Sequence, residues 1–456
     1  MTGLAWLFCL TVGLAALLAP ALWNHFPIVF FDTGGYINRV QEMTLAPGRS
    51  FFYGLFLWAG SFAWRSFWGA VLAQSFFTLW SIRLLLRCHE LPSGPLPLAL
   101  FSLGLALSTG ISWFTSQLMP DIFLPLVVLA LWLLGFRWER LRVGERAGLA
   151  AIALLGLLSH MSCLALGIGL CLVILIARFA LPRMGSCCSA RSLPPVALVC
   201  ASLVLMPIFH WAWLGKATYT PGGPVFIFGR LVQDGIAKRW LDEHCPVAGI
   251  KLCGLQERLP KSADAFLWSG DSPFLDIGGW NGAEAELSHL VKNCFAAYPG
   301  AVVWTALQDT FQQFGEVATG DGLDAFHHHA RWVFSALSPP VAAQFAAAGQ
   351  QQGLLTQSLF APLNRVHIPV AHLSLLGLMI AIAWGRHSKR YDIACLALFV
   401  FLALLGNAFI CGALSNPHAR YQSRLVWLAP LVFGMTAVSW SQLRVARART
   451  AEKGKK

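Results

Sequence analysis

The chain has 456 residues, of which 57% are hydrophobic and only 12% charged. Soluble globular domains carry roughly 25% charged residues, so this composition excludes an ordinary water-soluble protein. The 33 basic and 21 acidic residues leave a net charge of +12, which points to nucleic acid or to an oriented membrane protein, depending on where the charges fall.

Apolar runs near 20 residues long recur along the chain. Each matches a hydrocarbon layer about 30 Å thick at about 1.5 Å per helical residue. In lipid the backbone must satisfy its own hydrogen bonds, so the runs are expected to be helices. In chain order the expected spans are 4–23, 66–86, 95–114, 121–136, 147–160, 162–180, 195–213, 367–385, 391–411 and 424–442. The first of these, Leu4 to Trp23, has no basic stretch before it and no small-residue cleavage site before Asn24-His25, so it reads as an uncleaved helix. The apolar stretch 51–64 is too short to cross and reads as a re-entrant or interfacial piece. Many of the 19 Trp residues lie near the ends of runs, as in an interfacial belt.

This predicts an all-α polytopic membrane protein with about ten transmembrane helices. Residues 1–213 form an N-terminal membrane module with polar loops at 24–50 and 115–121. Residues 214–366 form a large, mostly helical loop domain, 367–443 a second membrane module and 444–456 a basic tail. Within the large loop, 228–243 and 283–297 carry apolar residues at helical spacing, and 336–352 is rich in Ala and Gln. No internal repeat or strand-rich block is visible.

With the N-terminus inside, the cytoplasmic segments hold Arg83, Arg87, Arg137, Arg140, Arg142, Arg146, Arg178, Arg183, Arg191, Arg386, Lys389, Arg390 and six basic residues of the tail from Arg444 onward. Their acidic complement is only Glu90, Glu139, Glu145, Asp392 and Glu452. The basic excess therefore lies on one side, as the positive-inside bias requires, and it removes the case for nucleic acid. The brief loops point to a bacterial inner membrane, with both termini cytoplasmic and 214–366 periplasmic. On that topology Cys245 and Cys253, eight apart in the large loop, face an oxidising space and are candidates for a local disulfide. The adjacent Cys187-Cys188 pair falls on the reducing side.

Four polar clusters are candidates for chemistry. Phe31-Asp32-Thr33-Gly34-Gly35-Tyr36 follows the first span, and Asp32 and Tyr36 share a face if this segment is helical. Thr115-Ser116-Gln117-Leu118-Met119-Pro120-Asp121 opens onto the same side, where Asp121 is either a first-turn acid behind Pro120 or a functional carboxylate. His160 stands at another turn on this side between Ser159 and Ser162. His418-Ala419-Arg420-Tyr421-Gln422-Ser423-Arg424 precedes the last span, and Arg forks suit a phosphate. The plain alternatives are a solvated loop Asp, a helix cap, a structural His and interfacial anchors. His327-His328-His329 does not make a metal site, because consecutive residues on a helix point in different directions and no further ligand stands at a zinc spacing. Asp321 and Asp324 read as caps of the helix that follows.

Taken together, these residues resemble the GT-C class of integral membrane glycosyltransferases, which use polyprenyl-phosphate-linked sugars as donors. The Asp32-x-x-x-Tyr36 arrangement looks like the acidic–aromatic signature of that class's first loop, and Asp121 matches its second carboxylate. His418-x-Arg420-Tyr421 looks like the element before a late span that contacts the donor phosphate. The resemblance implies Asp32 as catalytic base or ligand of a divalent cation, with Mg2+ or Mn2+ shared with Asp121. It implies Tyr36, His160, His418, Arg420, Tyr421 and Arg424 as substrate-binding residues, and a glycan or lipid as acceptor. Two other classes stay open: a polysaccharide polymerase or ligase, which leans on Arg and His, and a lipid or solute transporter.

Overall fold

The computed structural model describes residues 3–44, 48–180, 190–215, 217–219, 222–323 and 329–453. The N-terminal part contains α1 (Gly3–Asn24), α2 (Thr33–Glu42), α3 (Phe51–Gly60), α4 (Trp68–Cys88), α5 (Pro95–Ser108), α6 (Ile111–Ser116), α7 (Phe123–Phe136), α8 (Val143–Ser159), α9 (Met161–Ala180) and α10 (Leu193–Leu214). The middle contains α11 (Gly223–Gln233), α12 (Ile236–His244), α13 (Ala263–Trp268), α14 (Pro273–Asp276), α15 (Gly279–Gly282), α16 (Glu284–Ala297), α17 (Pro299–Gly315), α18 (His329–Ser335) and α19 (Pro339–Ala347). The chain then runs through α20 (Gln357–His387), α21 (Tyr391–Leu414), α22 (Ala419–Val426) and α23 (Leu428–Lys453). Among the described residues there is no β-strand, only an isolated bridge between Ile28 and Gln117.

Seven helical stretches are long and apolar enough to cross a membrane: α1, α4, α9, α10, α20, α21 and the run Ala419–Thr450. The other three expected spans are shorter helices. The 95–114 segment stops after 14 residues at Ser108 and restarts as the six-residue α6, because Thr109 and Gly110 leave the helical path. The 121–136 segment becomes the 14-residue α7, and 147–160 becomes the 17-residue α8. At 1.5 Å per residue, 14 residues reach only about 21 Å. The stretch 51–64 forms the ten-residue α3, and α20 begins ten residues before the expected start of its span.

α7 explains why hydropathy alone misreads this region. All fourteen of its residues are buried, and it packs against α4, α8, α9, α10 and α21. A helix apolar on every face is one surrounded by protein or by lipid, and here the surroundings are protein. Gly156 of α8 permits that closeness: a Cβ there would lie 2.5 Å from Val127 and 3.2 Å from Phe123.

One end of the bundle is stitched together by side-chain amides. Gln350 spans Val29 with two bonds, accepting from its N–H at 3.0 Å and donating to its carbonyl at 2.9 Å. Asn24 accepts from the Gln350 N–H at 2.6 Å. Gln74, wholly buried in α4, donates to the carbonyls of Thr115 and Gln117 and accepts from Tyr53. Thr33 Oγ1 accepts from Phe30 N at 2.8 Å and donates to the Leu118 carbonyl at 3.1 Å. These bonds hold the loop after α1 against the loop before α7. The opposite end carries a separate ionic network, in which Arg87 grips Glu145 with two bonds of 2.7 and 2.6 Å. There Arg390 grips Asp392 at 2.9 and 3.0 Å, and Arg137 approaches the same carboxylate at 3.7 Å.

The stretch 214–366 divides by packing. Residues 225–294 have their own apolar core, including Phe228, Leu241, Phe266, Phe274 and Leu290. Leu323, Phe334, Phe345 and Phe360 instead share a core with Ile28, Tyr36 and Phe123. Cys245 and Cys253 are joined by a disulfide, closing the turn after α12.

Candidate functional site

The stitched end brings residues from five separated segments into one buried charge cluster. Asp121 follows Pro120 in a single 3-10 turn ahead of α7, 1% exposed. Its Oδ1 accepts from Arg424 Nη1 at 3.1 Å and lies 4.0 Å from Arg420 Nε. Asp121 is thus the first-turn acid behind Pro120, and its side chain also holds two arginines. Both come from the short helix α22, where positions 420 and 424 are one turn apart and share a face.

Arg424 is 1% exposed and spends its other nitrogen on several groups. Its Nη2 donates to Ser162 Oγ at 3.0 Å and approaches Asn407 Oδ1 at 3.4 Å and Cys411 Sγ at 3.4 Å. Ser162 in turn meets His160 Nδ1 at 2.7 Å, which ties His160 to the cluster as a neighbour of a neighbour. The guanidinium of Arg420 lies 3.9 Å from the centre of the Phe30 ring and 5.1 Å from that of Tyr421. Arg424 also lies over Tyr421, at 5.2 Å. Aromatic faces attract cations and hold the planar groups in place.

Asp32 sits just before α2 with its side chain 22% exposed, and it is ion-paired with Arg49. It lies within electrostatic reach of Arg420 and of Tyr36. Tyr36 is wholly buried, with its ring edge-on to Tyr53 at 5.0 Å. Gly54 lets α3 approach α2 this closely, since a Cβ there would lie 2.4 Å from the Tyr36 carbonyl oxygen. Four polar atoms in this cluster are buried and make no hydrogen bond to the described residues: Asp121 Oδ2, Arg420 Nη1, Arg424 Nε and the Tyr36 hydroxyl. Buried polar atoms normally find a partner, so these four mark where a ligand group would be satisfied.

His418 flanks the cluster on its polar side. Its Nε2 lies 3.2 Å from Asp264 and its Nδ1 3.6 Å from Asp321. These two carboxylates, Asp264 first and then Asp321, push its pKa up to about 9. Asp321 also accepts from the Arg420 backbone N–H at 3.1 Å. The expected role of Asp321 as a cap is thus replaced by a bridge to α22, because the chain folds back over that helix. Asp324, His327 and His328 lie outside the described residues, as do Cys187 and Cys188. Beside His418 is a cavity of about 350 Å³ lined by Glu316, Thr319, Asp321, Phe360 and Asn364, among others.

All the candidate residues thus gather at one end of the molecule: Asp121, Arg420, Arg424 and Tyr421 in contact, with Asp32, Tyr36, His160 and His418 around them. Sequence reasoning did not single out Arg49, Asn407 or Asp264 as site residues. Asn407 carried a signal, being a lone amide in the middle of an apolar span, where polar groups are costly and usually functional. It donates to the Tyr421 carbonyl and to Gln422 Oε1, both at 2.8 Å, fixing the start of α22. Arg49 lies in a polar loop and Asp264 in the first turn of α13, and only the fold reveals their pairing.

Comparison with known proteins adds no relative: no protein-family model, no curated protein and no solved structure matches the chain.

Proposed function

We propose that this chain is an integral membrane glycosyltransferase of the GT-C kind, moving a sugar from a polyprenyl-phosphate donor to a lipid or glycan acceptor. The observation that carries the reading is the buried pair Arg420 and Arg424 around a single carboxylate, with Arg420 Nη1 left without a partner. Two guanidiniums and one carboxylate leave a net positive site in a low-dielectric setting, which suits a phosphate. The cavity beside His418, where Glu316, Thr319, Asp321 and Asn364 stand among apolar residues such as Leu323 and Phe360, offers room for a ligand with both hydroxyl groups and an apolar part.

In this mechanism the acceptor hydroxyl attacks the anomeric carbon and loses its proton to Asp32. The bond from that carbon to the phosphate oxygen breaks, and its electron pair leaves with the phosphate toward Arg420. Single displacement inverts the anomeric centre. Asp32 is the accessible carboxylate and suits the base role, whereas Asp121 is enclosed and acts as a positioning residue for the two arginines. Arg49 holds Asp32 in the free protein, and an incoming phosphate would compete for that guanidinium and release the base. A Mg2+ or Mn2+ ion fits less well. Both carboxylates already face arginines, and among the described residues no three His, Cys, Asp or Glu side chains are arranged to hold a metal ion. No step is therefore routed through a metal.

The same proposal places the protein in a bacterial inner membrane with both termini cytoplasmic and the site facing the periplasm. On this reading the shorter α5, α7 and α8 complete the ten passages, with α7 enclosed by its neighbours and α5 turning Leu96, Leu100 and Leu107 outward. The test is transfer from polyprenyl-phosphate-linked sugars by protein reconstituted in lipid nanodiscs. Replacing Asp32 with Asn should lower kcat about 10²- to 10⁴-fold, the usual worth of a general base. Full activity in Asp32→Ala would defeat this mechanism and favour the polymerase or ligase reading, which the ion-paired state of both carboxylates also suits.

A further inference from the structure

α17 has its polarity arranged opposite to that of a helix on a water-soluble domain. Its inner face carries polar groups: Asp309 pairs with the buried Arg230 of α11, Thr310 is buried, and Gln313 is wholly buried. Its outer face carries large apolar groups, with Val303 60%, Trp304 62%, Leu307 47% and Phe311 74% exposed. Positions 303, 304, 307 and 311 form one continuous stripe at helical spacing. Water does not tolerate such a stripe without a partner.

The inner face shows where the helix sits. α17 packs along α21, a membrane-crossing helix. Gly412 makes the contact close, since a Cβ there would lie 2.4 Å from the Asp309 carbonyl oxygen. Further along, Phe314 meets Phe401 in the middle of α21, with ring centres 6.0 Å apart. Phe314 and, just beyond the helix, Val317 join the apolar core that holds Leu105, Leu378 and Leu404 of the spanning helices. α21 itself turns Leu405, Phe409 and Leu414 outward. The stripe on α17 thus continues the apolar outer surface of a helix that crosses the membrane.

We infer that α17 lies in the bilayer against α21, with Val303, Trp304, Leu307 and Phe311 in contact with acyl chains, although the sequence assigns 214–366 to a polar loop domain. This inference is independent of the glycosyltransferase reading. It gives the helix a second task as well. Gln313 on its inner face clamps His418 with two hydrogen bonds, donating to its carbonyl at 2.8 Å and accepting from its N–H at 2.9 Å. The helix that rests on lipid is therefore the one that positions the start of α22 and its arginines.

The unmodified protein in nanodiscs containing a phospholipid with a diazirine in the middle of its acyl chain tests this. After photolysis and digestion, the exposed Leu373 and Leu376 of α20 serve as the lipid-facing reference, and α12 with its exposed Lys238 and Arg239 as the water-facing one. The expected result is lipid adducts on Trp304, Leu307 or Phe311 at a yield within a few-fold of α20, with α12 unlabelled. Adducts on α20 with none on 299–315 would overturn the inference. So would crosslinks joining the 299–315 segments of two copies in a parallel sample treated with a bifunctional, membrane-permeant photocrosslinker, which would assign the stripe to a second copy of the chain.

Discussion

Replacing Asp121 with Ala removes, among the described residues, the only carboxylate in hydrogen-bonding contact with Arg424 and the one that faces the Arg420 guanidinium at 4.0 Å. The two outcomes to be separated are a surface-like pair, worth about 0–1 kcal/mol, and a buried pair, whose disruption costs about 3–5 kcal/mol. Burial decides between them: the side chains of Asp121 and Arg424 are each 1% exposed and that of Arg420 is 11% exposed. The variant would leave two guanidiniums facing one another with no counter-charge between them. Arg424 keeps Ser162 at 3.0 Å, a partial substitute that argues for the lower half of that range. We expect Asp121→Ala to lose about 3–4 kcal/mol. The double variant Asp121→Ala/Arg424→Met removes the stranded charge and should regain at least about 1 kcal/mol relative to the single, a coupling of the size seen between contacting residues. Denaturant or thermal unfolding in nanodiscs, followed by Trp fluorescence, measures both. If the double variant is as unstable as the sum of the two singles, the cluster is not an electrostatic unit and the reasoning fails.

Three further outcomes follow from the same structure. His418 has its pKa raised to about 9 by Asp264 and Asp321. Its contribution to stability is therefore fully present below the unfolded value near 6.5 and is lost as pH rises through about 9. Wild-type Tm should fall over that window more than that of His418→Gln, and parallel curves would refute the assignment. Breaking the Cys245–Cys253 bridge with a Cys253→Ser substitution opens a loop closed across eight residues. Loop-closure entropy puts its cost at about 2–3 kcal/mol, and maleimide labelling of intact cells should find Cys245 reactive only in the variant. Gly54→Val would drive side-chain atoms into the Tyr36 carbonyl, 2.4 Å from where its Cβ must lie. It should cost about 1–3 kcal/mol and weaken the α2–α3 packing, read as faster hydrogen exchange at Tyr36 than at Leu129 of α7.

The sequence announced its membrane character because lipid imposes a length and a polarity on each crossing helix, and α1, α4, α9, α10, α20 and α21 all show both. It overstated the role of lipid at 121–136, since a helix sealed inside protein has the same composition as one immersed in hydrocarbon. It also hid α17, whose four outward apolar residues are diluted by Asp309, Thr310 and Gln313, which face the protein, and by the exposed Gln308 and Gln312. The site was legible as a set of charges on a common side: Asp32, Asp121, Arg420 and Arg424 were all named from it. Their pairing was not legible. That Asp121 belongs to Arg424, more than three hundred residues away, while Asp32 belongs to Arg49 depends on how the loops are stitched by Gln74, Gln350 and Asn407. Those amides contribute nothing distinctive to composition.

The shortness of α7 has an electrical consequence. Asp121 stands at one end of this helix, and at the other Arg137 meets Asp392 at 3.7 Å. The intervening residues span about 24 Å at about 1.5 Å per residue, against about 30 Å of hydrocarbon in the surrounding bilayer. On the proposed ten-span topology, with Asp121 and Arg137 at the two edges of the insulating layer, a membrane potential would fall over that shorter path, and the field along α7 would be steeper by about a quarter than in open lipid. On the same proposal, charges that bind or leave beside Arg420 and Arg424 would do so at one edge of this steep field.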